Sequence, residues 1–182
     1  MRFKTSLALT AALLGLTAVA ASAQTPTTTK HDNFFVRCFP VQNGAPCDLF
    51  QEVGNRETGQ RLVTFSIAFL PTDSRYVMVI GLPLGVAIEK GVVIQTNTFS
   101  TPTMNFRRCD QGGCYVEAQV DKQLIDAFMG SKGDAKLRIT VDGEDKPREL
   151  PLNFDGFSSA HNDMVAQNRA RGTKPAAAPA TP

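Results

Sequence analysis

The chain has 182 residues, 42% of them hydrophobic, with 19 basic against 17 acidic side chains and a formal net charge of +2. A balance this close to neutral creates no global field that would collect polyanions, which argues against nucleic-acid binding. Two histidines leave little imidazole for acid–base chemistry, and there is no tryptophan.

Residues 1–23 read as a secretory signal peptide. Arg2 and Lys4 precede a largely apolar run from Leu7 to Ala20, and Ala21-Ser22-Ala23 supplies the small residues that a signal peptidase reads. The run falls short of the roughly 20 apolar residues of a membrane-spanning helix, so no transmembrane anchor is expected after cleavage. Arg2 and Lys4 leave with the peptide, and the remaining basic residues then equal the 17 acidic ones. The expected location is periplasmic or secreted.

Residues 24–33, QTPTTTKHDN, are polar and Thr-rich and read as a flexible N-terminal segment, where His31 could not be held for catalysis. Residues 168–182, NRARGTKPAAAPATP, read as a disordered Ala/Pro-rich tail that cannot offset its own chain entropy. Between them, residues 34–167 comprise one domain of roughly 130 residues.

Within that domain short β-rich runs alternate with turn signals. RLVTFSIAFL and RYVMVIGL are separated by PTDS, a turn. In KLRITVD, Leu137, Ile139 and Val141 share one face; in RELPLNF, Leu150, Leu152 and Phe154 repeat the pattern, and the two runs form a hairpin. Two stretches change period. Asp121 caps a helix whose Leu124, Ile125, Phe128 and Met129 fall on one side and which Gly130 ends. Phe157, Met164 and Val165 give a second, weaker helical face. The expected fold is mainly β: a single antiparallel β-sandwich-like domain with one or two short helices and two local disulfides.

Cys38, Cys47, Cys109 and Cys114 all survive signal cleavage, and an even count in an exported chain points to disulfides. Chain entropy alone favours long links, about 4.4 kcal/mol against about 2 to 3 for each local one, so local pairing rests on proximity. The DQGG segment suits a tight reversal between MNFRRC and CYVEAQV that brings Cys109 opposite Cys114. Cys38 with Cys47 is the matching pair. A four-thiolate zinc site lacks the two-residue knuckle spacing, and a redox pair lacks the two-residue spacing at a helix start.

The catalytic inventory is thin. His161 lies close to Ser158 and Ser159, but there is no GxSxG elbow, and at helical spacing His161 flanks an apolar face as a structural histidine would. No phosphate loop, dinucleotide fingerprint or calcium loop is present, so no catalytic residue, cofactor or metal ligand is assigned. Arg107, Arg108, Tyr115 and Glu117 lie on the face of the Cys109–Cys114 hairpin opposite Val116, Ala118 and Val120, and form a candidate interaction surface.

Five segments occur in a recognisable order: FFVRC, APCDLFQE, GLPLGVAIEKGVVIQ, RRCDQGGCYVEAQV and LPLNFDGFSSA. Together they resemble the invasion-associated locus B family of alphaproteobacterial envelope proteins over about Phe34 to Val165. The family often carries a tryptophan near the first cysteine; here Phe34 or Phe35 stands instead. The resemblance implies an exported, non-catalytic interaction protein whose partner is a protein or a cell-envelope component, in a family whose founding member is linked to entry into host red cells. A small periplasmic hydrolase or thiol-redox protein is the competing reading. Signal cleavage predicts that N-terminal sequencing of the exported protein begins at Gln24; a sequence beginning at Met1 would refute it.

Overall fold

A computed structural model describes residues 25–40 and 45–172. The signal peptide and residues 173–182 of the expected tail lie outside the described residues. The larger antiparallel sheet is built from Thr27–His31 (β1), Phe34–Cys38 (β2), Cys47–Gly54 (β3), Arg61–Leu70 (β4) and Arg75–Leu82 (β5). It continues through Gly113–Val120 (β8) to Arg108–Asp110 (β7), in the order β1-β2-β3-β4-β5-β8-β7. A smaller antiparallel sheet places Asp134–Ile139 (β9) between Arg148–Asn153 (β10) and Val93–Gln95 (β6). Lys122–Gly130 (α1) and Phe157–Gly172 (α2) complete the domain. The mainly β, antiparallel architecture with two helices is the one the alternating runs imply. No helix of the described residues is long and apolar enough to cross a membrane.

The period-2 pattern sorts the large sheet into two faces. Phe34, Val36, Leu49, Val63, Phe65, Ile67, Met78, Ile80 and Val116 are all 1% exposed or less and point into the core. Their neighbours in the strands are half-buried on the outer face. The smaller sheet adds Ile94, Leu137, Ile139 and Leu152 to the same core, and the helices add Ile125, Phe128, Phe157 and Met164. The PTDS turn between β4 and β5 and the β9–β10 hairpin form where expected, with Leu137 opposite Leu150. Asp121 caps α1: its carboxylate accepts the Leu124 N–H at 2.8 Å.

Two boundaries differ from the sequence reading. Residues Thr27–His31, expected to be flexible, form β1, an edge strand paired with β2 from Thr27 opposite Cys38 to His31 opposite Phe34. Its threonines are exposed, so no alternation marks it; main-chain pairing to β2 and the β-branched side chains hold it extended. The His31 ring also reaches Asp163 on α2 at 2.9 Å. At the other end, α2 continues through residue 168, where the tail was expected to begin. Asn168 is fully buried. Its side-chain oxygen accepts the Cys47 N–H at 2.8 Å, and its NH2 donates to the carbonyls of Cys47 (2.9 Å) and Phe69 (3.1 Å).

A second buried amide joins the two sheets. Gln51 on β3 donates to the carbonyls of Asn33 (3.1 Å) and Asn153 (2.7 Å) and accepts the Asn153 N–H (3.1 Å). Close by, Gly156 turns the chain into α2 with φ of 87°, and a Cβ there would stand 2.1 Å from the His31 carbonyl oxygen. Only glycine fits both conditions. Because Asn168 satisfies three main-chain groups at once, Asn168→Ala is expected to destabilise the fold by about 2 to 4 kcal/mol, read by denaturant unfolding. A loss below about 0.5 kcal/mol, the scale of an ordinary surface change, would contradict this role.

Candidate functional site

The sequence placed Arg107, Arg108, Tyr115 and Glu117 on one face, and the structure brings them together at the β7 end of the large sheet. β7 and β8 form a hairpin in which Arg108 faces Tyr115, Cys109 faces Cys114 and Asp110 faces Gly113. The loop is therefore Gln111-Gly112. The Asp110 carboxylate accepts the Gly112 N–H at 2.8 Å, and the left-handed φ belongs to Gly113, at 140°, not to Gly112. A Cβ on Gly113 would lie 2.2 Å from the Leu82 carbonyl oxygen, so the second glycine is set by contact with β5 as much as by the turn.

The hairpin is shorter than the MNFRRC and CYVEAQV runs suggest. Met104 exchanges both main-chain hydrogen bonds with Val92, at 2.8 and 2.9 Å, which draws the first half of MNFRRC towards the smaller sheet. Only Arg108–Asp110 remain as β7, with the Arg107 N–H donating to the Tyr115 carbonyl at 2.8 Å.

Arg108 organises the surface. Its guanidinium lies over the Tyr115 ring, 4.1 Å from the centroid, and donates to Glu117 Oε1 at 2.9 Å and to Asp110. The hydrogen bond to Glu117, reinforced by the nearby Asp110 charge, raises the Arg108 pKa further above its ordinary value. Arg107 is mostly exposed and sits 3.9 Å from the same Glu117 carboxylate. The Tyr115 ring in turn rests on Gly81, where an added Cβ would stand 3.3 Å from the ring. Gly81 thus lies within β5 directly beneath an aromatic ring. Thr64, opposite Gly81 across the β4–β5 pairing, has a buried Oγ1 with no hydrogen-bond partner among the described residues.

Sequence reasoning missed a second aromatic surface on β2 and β3. Phe35 stacks on Phe50 with ring centroids 5.5 Å apart, while the Arg37 guanidinium lies over both Phe50 and Phe39. Asp48 holds Arg37 in a bidentate pair at 3.2 and 2.7 Å. The signal was present in FFVRCF and DLF, whose outward members at period two are Phe35, Arg37, Phe39, Asp48 and Phe50. Phe34 is the ring that enters the core, 1% exposed against Phe65, Phe154 and Phe157.

The four cysteines pair as expected, Cys38 with Cys47 and Cys109 with Cys114, each bridging directly facing strand positions with Cα atoms 4.0 Å apart. His161 does not meet the neighbouring serines. Its Nε2 lies 3.0 Å from the Tyr76 hydroxyl and its Nδ1 3.3 Å from Asn162 Oδ1, while the Ser159 hydroxyl donates to the Gly156 carbonyl. It is 7% exposed, packed on the rings of Phe157 and Tyr76. Among the described residues no three His, Cys, Asp or Glu side chains converge as a metal-ligand set.

Against this geometry, the family model for invasion associated locus B (IalB) protein matches residues 35–165. The chain belongs to the invasion-associated locus B family. Relatives include invasion protein B homologues of Brucella abortus, from strain 2308 and from biovar 1 strain 9-941. Each is 25% identical over 158 residues, covering 85% of this chain and 90% of the relative. The crystal structure of invasion associated protein B from Bartonella henselae superposes with a TM-score of 0.67 at 23% identity, covering 79% of this chain and 99% of that one. That likeness shows a shared fold. The locus B match starts within one residue of Phe34 and ends at Val165, the span that the five sequence segments marked out.

His161 makes stability depend on pH. Burial, its largest influence, lowers the His161 pKa below 6.5; the Asn162 hydrogen bond and the Asp126 charge oppose this, and Lys122 adds to it. The unfolded chain therefore binds this proton at higher pH than the folded one, and the stability held near neutrality is lost as pH falls below about 6.5 towards the folded pKa. His161→Gln keeps a polar partner for Tyr76 without a charge change. Thermal melts between pH 7.5 and 5 are expected to show a smaller loss of stability in the variant than in the wild type; parallel curves would remove His161 from the account.

Proposed function

We propose that this locus B protein is an exported, non-catalytic interaction protein of the cell envelope or extracellular space. Its partner is a protein or an envelope component, docked through the β7 end of the large sheet. The carrying observation is the Arg108 guanidinium lying on Tyr115 and tied to Glu117 and Asp110, which presents cation, ring and carboxylate as one ordered group beside the exposed Arg107. Arginine and tyrosine are the residue types that most often anchor interfaces, and here their rotamers are already set, so less side-chain entropy is lost on docking.

The family and the names of the Brucella and Bartonella relatives support a contribution to host-cell interaction or invasion. The N-terminal signal pattern and the two disulfides support export to an oxidising compartment. A structural position for His161, with its ring nitrogens turned to Tyr76 and Asn162, supports a binding role over hydrolysis.

The test is capture by immobilised protein from envelope and host-surface extracts, with bound species identified by mass spectrometry. Wild type is expected to enrich a partner, and the Arg107→Glu, Arg108→Glu double variant, checked for native melting and intact disulfides, to recover at least about fivefold less. Equal recovery by both proteins, or no enriched species with wild type, overturns the reading.

A further inference from the structure

The two disulfides sit in different surroundings. Cys38 and Cys47 are 3% and 0% exposed, on strands inside the sheet, with β1 beyond β2 and α2 packed across both. The main chain of Cys47 is held on both its N–H and its carbonyl by Asn168. Cys109, by contrast, is exposed on β7, a three-residue strand at the sheet edge, while its partner Cys114 is buried on β8. A thiol can reach Cys109 in the folded protein, whereas reaching Cys38 or Cys47 requires the β2–β3–α2 packing to open.

We propose that Cys109–Cys114 is a thiol–disulfide exchange site for an external dithiol, and that its reduction frees β7 and the arginine surface while the rest of the domain stays folded. A dithiol thiolate attacks Cys109 Sγ, forming a mixed disulfide. The electron pair of the broken S–S bond leaves on Cys114 Sγ, which takes up a proton. The second thiol of the reductant then attacks its own sulfur in the mixed disulfide and releases Cys109 as a thiol. Two electrons have passed to the protein, and the reductant ends as a disulfide.

The consequence is local because little else holds β7. Beyond the disulfide, β7 and its loop are held by the short pairing with β8, the Arg107 N–H bond to Tyr115, an exposed Arg61 bond to the Gly112 carbonyl, the Arg108 guanidinium on the Tyr115 ring and exposed ion pairs from Arg108, the kind that hold weakly in water. Arg107 and Arg108 lie at the base of this strand, so an intact disulfide keeps the Arg108–Tyr115–Glu117 group in register and a reduced one lets the arginines swing away. Redox state thereby controls the surface without touching the Phe-lined core.

The experiment uses the folded, oxidised protein and dithiothreitol as the dithiol. Timed aliquots are alkylated and the cysteine peptides mapped by mass spectrometry, with hydrogen exchange measured in parallel. Cys109 and Cys114 are expected to be alkylated at least about tenfold faster than Cys38 and Cys47, as local and global opening differ. Exchange should rise in residues 107–117 and stay unchanged in β3 and β4. Reduction of both disulfides at one rate, Cys38–Cys47 reacting first, unchanged exchange at 107–117, or unfolding of the whole domain would each overturn the proposal. Peptide mapping needs no docking partner, so its failure is distinguishable from failure of the docking surface.

Discussion

Six phenylalanine rings hold the elements of this domain together. Phe34 from β2 meets Phe65 from β4 and the rings of Phe154 and Phe157, at centroid distances between 5.3 and 6.1 Å. Phe128 from α1 stacks on Phe154 at 5.0 Å and touches Phe65, Phe99 and Phe157. Phe154 follows β10 and Phe157 opens α2, so one cluster ties the large sheet, the small sheet and both helices. Edge and offset ring geometries add roughly 0.5 to 1.5 kcal/mol per pair beyond the area they bury. With no tryptophan in the chain, these rings supply the large flat surfaces of the core.

Apolar burial is non-directional and would tolerate many arrangements of the same elements. Two buried amides remove that freedom. Gln51 donates to the β1–β2 turn and exchanges bonds with one strand end of the small sheet, and Asn168 exchanges bonds with the start of β3 and donates to the end of β4. Each has fixed donors and acceptors, so a shift of either element by one residue strands a polar group in a dry core. The rings bring the layers together, and the amides define how they sit.

That frame positions the side chains on the outer face of the large sheet. Its two ends carry arginine-on-aromatic groups, Arg37 on Phe50 and Arg108 on Tyr115, each pinned by carboxylates. Each end is also stapled by a disulfide across adjacent strands, Cys38–Cys47 at one and Cys109–Cys114 at the other. The staples differ in burial because one lies within the sheet and the other at its edge. The same covalent device therefore secures the core in one place and the surface in the other.

Whatever depends on near neighbours in the chain was legible in the residues. Strand alternation, the PTDS and DQGG turns, the Asp121 cap and both cysteine pairings follow from spacing, because their partners are at most about ten residues apart or share one hairpin. The meeting of Arg107, Arg108, Tyr115 and Glu117 was readable for the same reason. Tertiary structure alone decided the edge strand β1, whose exposed threonines carry no pattern, and the burial of Asn168, which composition assigns to a solvated tail. His161 finds Tyr76 85 positions away, and Asn168 finds Cys47 across 121. Such pairs are selected by how helix and sheets pack around the phenylalanine cluster. Local sequence determines which face of each element is apolar, and only the packed layers determine which polar side chain meets which main-chain group.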